Sequence, residues 1–217
     1  MARDPGPRQG RARRSAIVLV VALALVSSVA ACSPGSSSTA SEAPPVTDPG
    51  TQVTFVAIGG PETLNADRDD LPDNWPQVLF SQHMAPGGVY VNLATSDATV
   101  KSALDGQLPQ ALDLHATVAT IWLESGDERL ATAVRVYRDE LTTLVEDLQA
   151  AGVKVYLLRS GVTSGDPTPL QASVAVVAGQ TGATLVDLGD ISNRSDDSGQ
   201  RHIADQVAAA LGADLGG

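Results

Sequence analysis

The residues that could do chemistry in this chain sit where apolar runs stop. Phe55-Val56-Ala57-Ile58 drives straight into Gly59-Gly60-Pro61-Glu62-Thr63, a turn of the kind that ends a strand. In an open α/β sheet, ligands bind outside the carboxyl ends of the strands, so such a turn is where a nucleophile or a phosphate cradle belongs. A phosphate cradle needs backbone N–H donors, and Pro61 has none to give. Two further polar sets follow later apolar runs: Asn92-Leu93-Ala94-Thr95-Ser96-Asp97-Ala98-Thr99, and Glu124-Ser125-Gly126-Asp127. Glu62, Asp97, Glu124 and Asp127 would rim a common crevice beside Pro61, and Asp127 with Glu62 or Asp97 could pair as general acid and base. Such an acidic ring disfavours anionic ligands.

The remaining candidates are weaker. His83 and His115 precede strand-like runs and His202 lies in a helical pattern, so each reads as a surface or packed histidine. No histidine, cysteine or carboxylate cluster has metal-ligand spacing, and no G-x-S-x-G elbow occurs. The acid pairs Asp69-Asp70 and Asp196-Asp197 read as solvated turns. Nothing in the sequence calls for a cofactor.

The elements that must position these groups alternate along the chain. Strand-like runs at Val53–Ile58, Val89–Leu93, Ala116–Leu123, Val153–Leu158 and Ala183–Val186 are separated by helical patterns. That order predicts βαβ units, a five-stranded parallel sheet and helices on both faces, a three-layer α/β/α domain. The runs are apolar on both faces instead of alternating, as expected of strands covered on both sides. The strongest helical stripe is Leu130, Val134, Tyr137, Leu141, Leu144, Val145 and Leu148. Ser125 to Glu128 reads as its capping box and Gly152 as its terminator. Helices are also expected over Gly199–Leu211 and, less regularly, over Pro169–Gln180 and Asp97–Leu112.

The amino terminus carries a different message. Arg8, Arg11, Arg13 and Arg14 precede an apolar run from Ala16 to Val26, which closes on Val29-Ala30-Ala31-Cys32. Residues 1–31 read as an export signal and Cys32, directly after small residues, as the site of cleavage and lipidation by a chain such as palmitate. The apolar run is short for a span, which needs about 20 residues. Ser33 to Gly50 is rich in Ser, Pro and Gly and reads as a flexible tether, leaving residues 51–217 as one domain. Removing residues 1–31 takes away five arginines and one aspartate, leaving 9 basic against 24 acidic residues, near −15. A surface of that sign excludes the phosphate contacts that dominate nucleic-acid affinity.

Taken in order, the polar blocks resemble those of the SGNH (GDSL-type) hydrolases, a family of lipases, esterases and deacetylating enzymes with a flavodoxin-like α/β/α fold. The resemblance covers Val53 to Leu211. Its first block is Gly-Asp-Ser-x-(Ser/Thr), with the serine as nucleophile. Here Gly59 and Thr63 keep the frame, but Pro61 stands at the serine position. The second block supplies an oxyanion-hole N–H from a glycine, which Asp97 replaces. The third, Gly-x-Asn-Asp, is represented by Glu124, Ser125, Gly126 and Asp127, so Gly126 replaces the asparagine and only Asp127 is kept. The Asp-x-x-His-Pro block is shortened, since Asp196-Asp197-Ser198 runs directly into Gly199, and His202 falls about a turn inside the following helix.

Without the serine, glycine, asparagine and histidine, the resemblance implies the fold but not the acyl-transfer chemistry, which needs an activated nucleophile. The expectation is a lipid-anchored protein on the extracytoplasmic face of a cell membrane. Its hydrolase-like domain would be inactive and would serve as an envelope binding or accessory protein, with a glycan or protein as partner. The alternative is an atypical esterase or deacetylase.

Overall fold

The computed structural model describes residues 52–64, 74–161, 165–189 and 195–216. The export signal, Cys32, the tether and the Asp69-Asp70 pair lie outside them. Five strands form a single parallel sheet: β1 Thr54–Gly59, β2 Val89–Asn92, β3 Val118–Trp122, β4 Lys154–Arg159 and β5 Thr184–Asp187, in the order β2-β1-β3-β4-β5. The expected five-stranded parallel sheet and three-layer architecture are therefore present. The first strand, β1, lies between β2 and β3, so the connection runs to one side for β2 and then crosses back over β1 to β3. A crevice is expected at this reversal, outside the carboxyl ends of β1 and β3.

Both faces of the sheet are buried because strand residues alternate between two cores. Val56, Ile58, Ala119, Ile121 and Leu157 point to one layer, and Phe55, Ala57, Val118, Trp122 and Leu158 to the other. The first layer is covered by α3 (Val100–Ser102) and α4 (Leu108–Asp113), and by α6 (Val134–Ala150) and α7 (Pro169–Thr181). Two helices, α2 (Trp75–His83) and α8 (Asp197–Leu211), cover the second. Two short helices sit at the carboxyl ends of the central strands: α1 (Pro61–Leu64) follows β1, and α5 (Glu124–Arg129) follows β3.

Three expectations need correction. The helical stripe from Leu130 is not continuous, because α5 and α6 are separate helices. Thr132 N–H donates to Asp127 O and Ala131 N–H to Glu128 O, with Ala131 at φ 51°. This pattern is a Schellman C-cap with alanine where glycine is usual. Leu130 consequently leaves the buried stripe and is 66% exposed. The capping box read into Ser125 to Glu128 does not form either, since Ser125 is the second residue of α5 and its hydroxyl is engaged elsewhere. The third correction is an omission: α2 was not anticipated, although the Asn74 side chain accepts from Gln77 N–H and Pro76 occupies the first turn.

The irregular stretch Asp97–Leu112 is helical in pieces, with a π-helical turn over Ala103–Gln107 between α3 and α4. The expected helices Pro169–Gln180 and Gly199–Leu211 are present as α7 and α8, within two residues of the limits read from the sequence.

Candidate functional site

The end of β1 is built around a close approach. A Cβ on Gly59 would lie 2.2 Å from the Thr63 Oγ1, and Thr63 is fully buried, so the two residues of the retained frame require one another. Gly60 N–H donates to Trp122 O across the gap to β3, and Pro61 opens α1 at its first position, where a missing N–H is no loss. At the nucleophile position the chain thus offers neither a hydroxyl nor an amide hydrogen.

Two side chains hold this turn from outside. Asn92 donates from Nδ2 to Thr63 O at 3.2 Å and accepts Ala94 N–H at 3.0 Å, which fastens the end of β2 to α1. Gln107, in the π-helical turn and 3% exposed, donates to Gly59 O at 3.1 Å and accepts Gly59 N–H at 2.9 Å. It completes the hydrogen bonding of a strand end as a neighbouring strand would. Sequence reading missed Gln107, and no periodic signal marks it.

The second and third blocks meet beyond the carboxyl ends of β1 and β3. The Ala98 carbonyl oxygen lies so close to Gly126 that a Cβ there would be 1.8 Å from it. Where an oxyanion site needs a donor, this one presents a carbonyl oxygen, and no side chain fits at Gly126. Asp97 is exposed and forms an ion pair with Arg129 at 3.2 Å, joining the two blocks at the surface. Ser125 Oγ donates to Glu62 Oε2 at 2.7 Å, joining the first block to the third.

Asp127 and Glu124 are not rim groups, contrary to expectation. Asp127 is 1% exposed, and its Oδ2 accepts Val100 N–H at 2.8 Å at the start of α3. This capping role accounts for its presence without catalysis. Glu124 is 2% exposed, and its two oxygens accept the Ser160 N–H at 3.2 and 3.1 Å. Burial pushes its carboxyl up to about 7, while hydrogen bonds from Ser160 and Trp122 pull in the opposite direction without cancelling it. Glu62 and Asp97 are not buried, and each is already partnered, by Ser125 and Arg129. An acid–base pair of Asp127 with either is therefore ruled out by the burial of Asp127.

The histidines are elsewhere. His83 hydrogen-bonds Asp205 at 3.0 Å between α2 and α8, and His202 contacts Gln206 at 3.1 Å on the exposed side of α8. His115 sits at φ 51° in the C-cap of α4, its N–H donating to Leu112 O while Ala116 N–H donates to Ala111 O. Asp196 caps α8 by accepting Gly199 N–H at 2.8 Å.

No protein-family model and no curated sequence matches this chain. Solved structures do. One is the psychrotrophic esterase EstA of a Pseudoalteromonas species, inhibited by monoethylphosphonate, with 21% identity over 76% of this chain and 99% of that one at a TM-score of 0.63. A second belongs to the G-D-S-L lipolytic family of Desulfitobacterium hafniense DCB-2, at 15% identity over 74% and 100% and a TM-score of 0.62. The acetyl xylan esterase AlAXEase aligns at 12% identity over 73% and 100%, also with a TM-score of 0.62. The domain has the fold of SGNH/GDSL-type hydrolases. At these identities the likeness extends to the fold alone, and the site must be judged on its own geometry.

Proposed function

We propose that this chain is a lipid-anchored protein of the extracytoplasmic membrane face whose hydrolase-type domain has lost catalysis and serves as a binding or accessory protein of the cell envelope. The observation that carries the loss of catalysis is the Ala98 carbonyl packed on Gly126. A transition-state oxyanion is stabilised by donors aimed at it, each worth about 3–4 kcal/mol, and a fixed carbonyl oxygen acts in the opposite sense. Pro61 adds the loss of both nucleophile and N–H at the position facing it.

Two measurements test the two halves. Purified protein assayed on short acyl esters and acetylated sugars, the latter suggested by the acetyl xylan esterase among its structural neighbours, is expected to give no turnover above a buffer blank. Measurable hydrolysis would overturn the inactive reading. For the anchor, the sequence around Cys32 is the support: cells fed a tagged palmitate should label the protein, and Cys32→Ser should abolish both the label and its membrane fractionation. Partners are then sought among envelope glycans, peptidoglycan fragments and envelope proteins.

A second reading rests on one contact. Ser125 Oγ and Glu62 Oε2 are 2.7 Å apart beside the ends of β1 and β3, which is the spacing of a nucleophile and its base. If the domain is an atypical esterase, Ser125→Ala and Glu62→Gln each abolish the turnover. Hydrolysis that survives both replacements would assign it to other residues.

A further inference from the structure

One edge of the sheet is left open by its own sequence. β2 pairs with β1 alone, in the register Thr54↔Val89 to Ala57↔Asn92. Val89 N–H donates to Val53 O at 2.8 Å and Leu93 N–H to Ala57 O at 2.9 Å, so the odd-numbered residues direct their main-chain groups at β1. Successive residues of a paired strand turn these groups to opposite sides, which points the N–H and C=O of Tyr90 and Asn92 outward. The outward set is bounded at both ends: Gly88 N–H donates to Ala85 O at 3.2 Å, and Ala94 N–H to the Asn92 side chain at 3.0 Å. Among the described residues no strand, turn or side chain bonds the main chain of Tyr90 or Asn92 on that side.

Such an edge is a template for another chain, and proteins blunt it with charged residues or proline. β2 carries neither. No charged residue occurs from Met84 to Ser96, in a chain of which 18% is charged. Val89 is 38% exposed, and Tyr90 and Val91 are half-buried. Phe80 of α2, also half-buried, stacks on Tyr90 at 5.5 Å between ring centroids and adds apolar surface beside the edge. The opposite edge differs, since β5 ends on Asp187, which is paired with Arg159.

The outward groups fit a second copy of this chain. Tyr90 and Asn92 lie symmetrically about Val91, so a two-fold axis through Val91 sets Tyr90 of each copy opposite Asn92 of the other, every one of these residues donating once and accepting once. Surfaces as acidic as this one repel where carboxylates face each other, and the neutral Met84–Ser96 run lets two copies meet without that repulsion. The chain's own Ser33–Gly50 stretch is the wrong occupant, because Pro44, Pro45 and Pro49 deprive it of successive donors. We propose that β2 is a dimerisation edge, at which two copies pair antiparallel about Val91 and join their sheets into one. An edge four residues long lies at the small end of interfaces, below about 1,200 Å², so the dimer is reversible and concentration-dependent. The pairing needs only the sheet, so its failure and that of the proposed function are separately observable.

Hydrogen exchange of the full chain over a dilution series reads the edge residue by residue. Between about 10 µM and about 1 mM the Tyr90 and Asn92 amides should gain about 3- to 10-fold in protection, while the Val91 amide, held by the ladder to β1, stays protected throughout. Equal protection of Tyr90 and Asn92 at every dilution assigns the edge to a segment of the same chain, and no protection at any concentration leaves it to a different protein; either result overturns the proposal. A disulfide checks the axis. In a Cys32→Ser background, Val91→Cys should link two copies under mild oxidation, because residues directly opposite across antiparallel strands have Cβ atoms about 4.5–5.5 Å apart. Val89→Cys, displaced from the axis, should not. Linking at both positions alike, or at neither, overturns the proposal, and the exchange series on the wild type decides should the cysteine variants fail to fold.

Discussion

Ala131 and His115 hold a conformation that L-residues resist. Each sits at φ 51° as the left-handed residue of a Schellman cap, the position that Gly152 fills at the end of α6 with φ 85°. An L-residue loses about 1–2 kcal/mol in that region, against about 0.5–1 kcal/mol of extra chain entropy for glycine. Ala131→Gly and His115→Gly should therefore each stabilise the fold by about 0.5–1 kcal/mol, read as a rise in the denaturation midpoint. A drop at His115 would show that its ring holds more than the turn. Gly126 predicts the opposite sign. Gly126→Asn introduces the residue type that the resembling hydrolases carry in this block, but its Cβ would meet the Ala98 oxygen at 1.8 Å. The expected outcome is a loss of about 1–3 kcal/mol with no gain in ester hydrolysis, because the displaced carbonyl is part of the loop that caps α3.

Between elements, Gln107 ties the π-helical turn to the sheet through the two ends of one amide group on Gly59 N–H and O. Gln107→Ala removes both bonds and leaves Gly59 N–H buried without that acceptor. A buried donor left unmade costs about 1–3 kcal/mol, so the variant should lose at least that much in chemical denaturation. Gln107→Glu should recover only the acceptor half. This contact also shows where sequence reading stopped. The strands were legible because Val53–Ile58 and the later runs carry apolar residues on both faces, which is what two covered faces demand. The polar blocks were legible because they follow those runs at fixed places. What one-dimensional patterns could not carry was direction: Glu124 and Asp127 are carboxylates next to a crevice in sequence, yet both turn inward to backbone N–H groups. Gln107 was invisible for the same reason, since its partner is 48 residues away. The split of α5 from α6 was hidden because alanine, unlike glycine, gives no signal of a left-handed turn.

At the scale of the whole molecule the dominant feature is charge: −11 for the full chain, and near −15 once residues 1–31 are removed. A domain of roughly 165 residues has a radius of gyration of about 15 Å, well inside a Debye length of about 30 Å at 0.01 M salt and beyond one of about 8 Å at 0.15 M. At low salt every surplus carboxylate therefore feels the others, and compact packing raises their repulsion relative to the unfolded chain. The opposing contribution is small. Lys101–Asp105, Arg135–Asp139 and Arg129–Asp97 are exposed pairs, each worth about 0.2–1 kcal/mol at best and screened by the same salt. Net repulsion outweighs them, so raising sodium chloride from 0.01 to 0.15 M should increase Tm by about 3–6 °C, the response to about 1–2 kcal/mol in a domain of this size. A fall in Tm would mean that the local pairs outweigh the net charge. The same experiment separates the two electrostatic devices, because surface repulsion is long-ranged and screened while Glu124 is enclosed. Glu124→Gln should keep the salt response of the wild type and lose its decline in stability from pH 5 to pH 8, a decline that follows from a folded carboxyl raised to about 7.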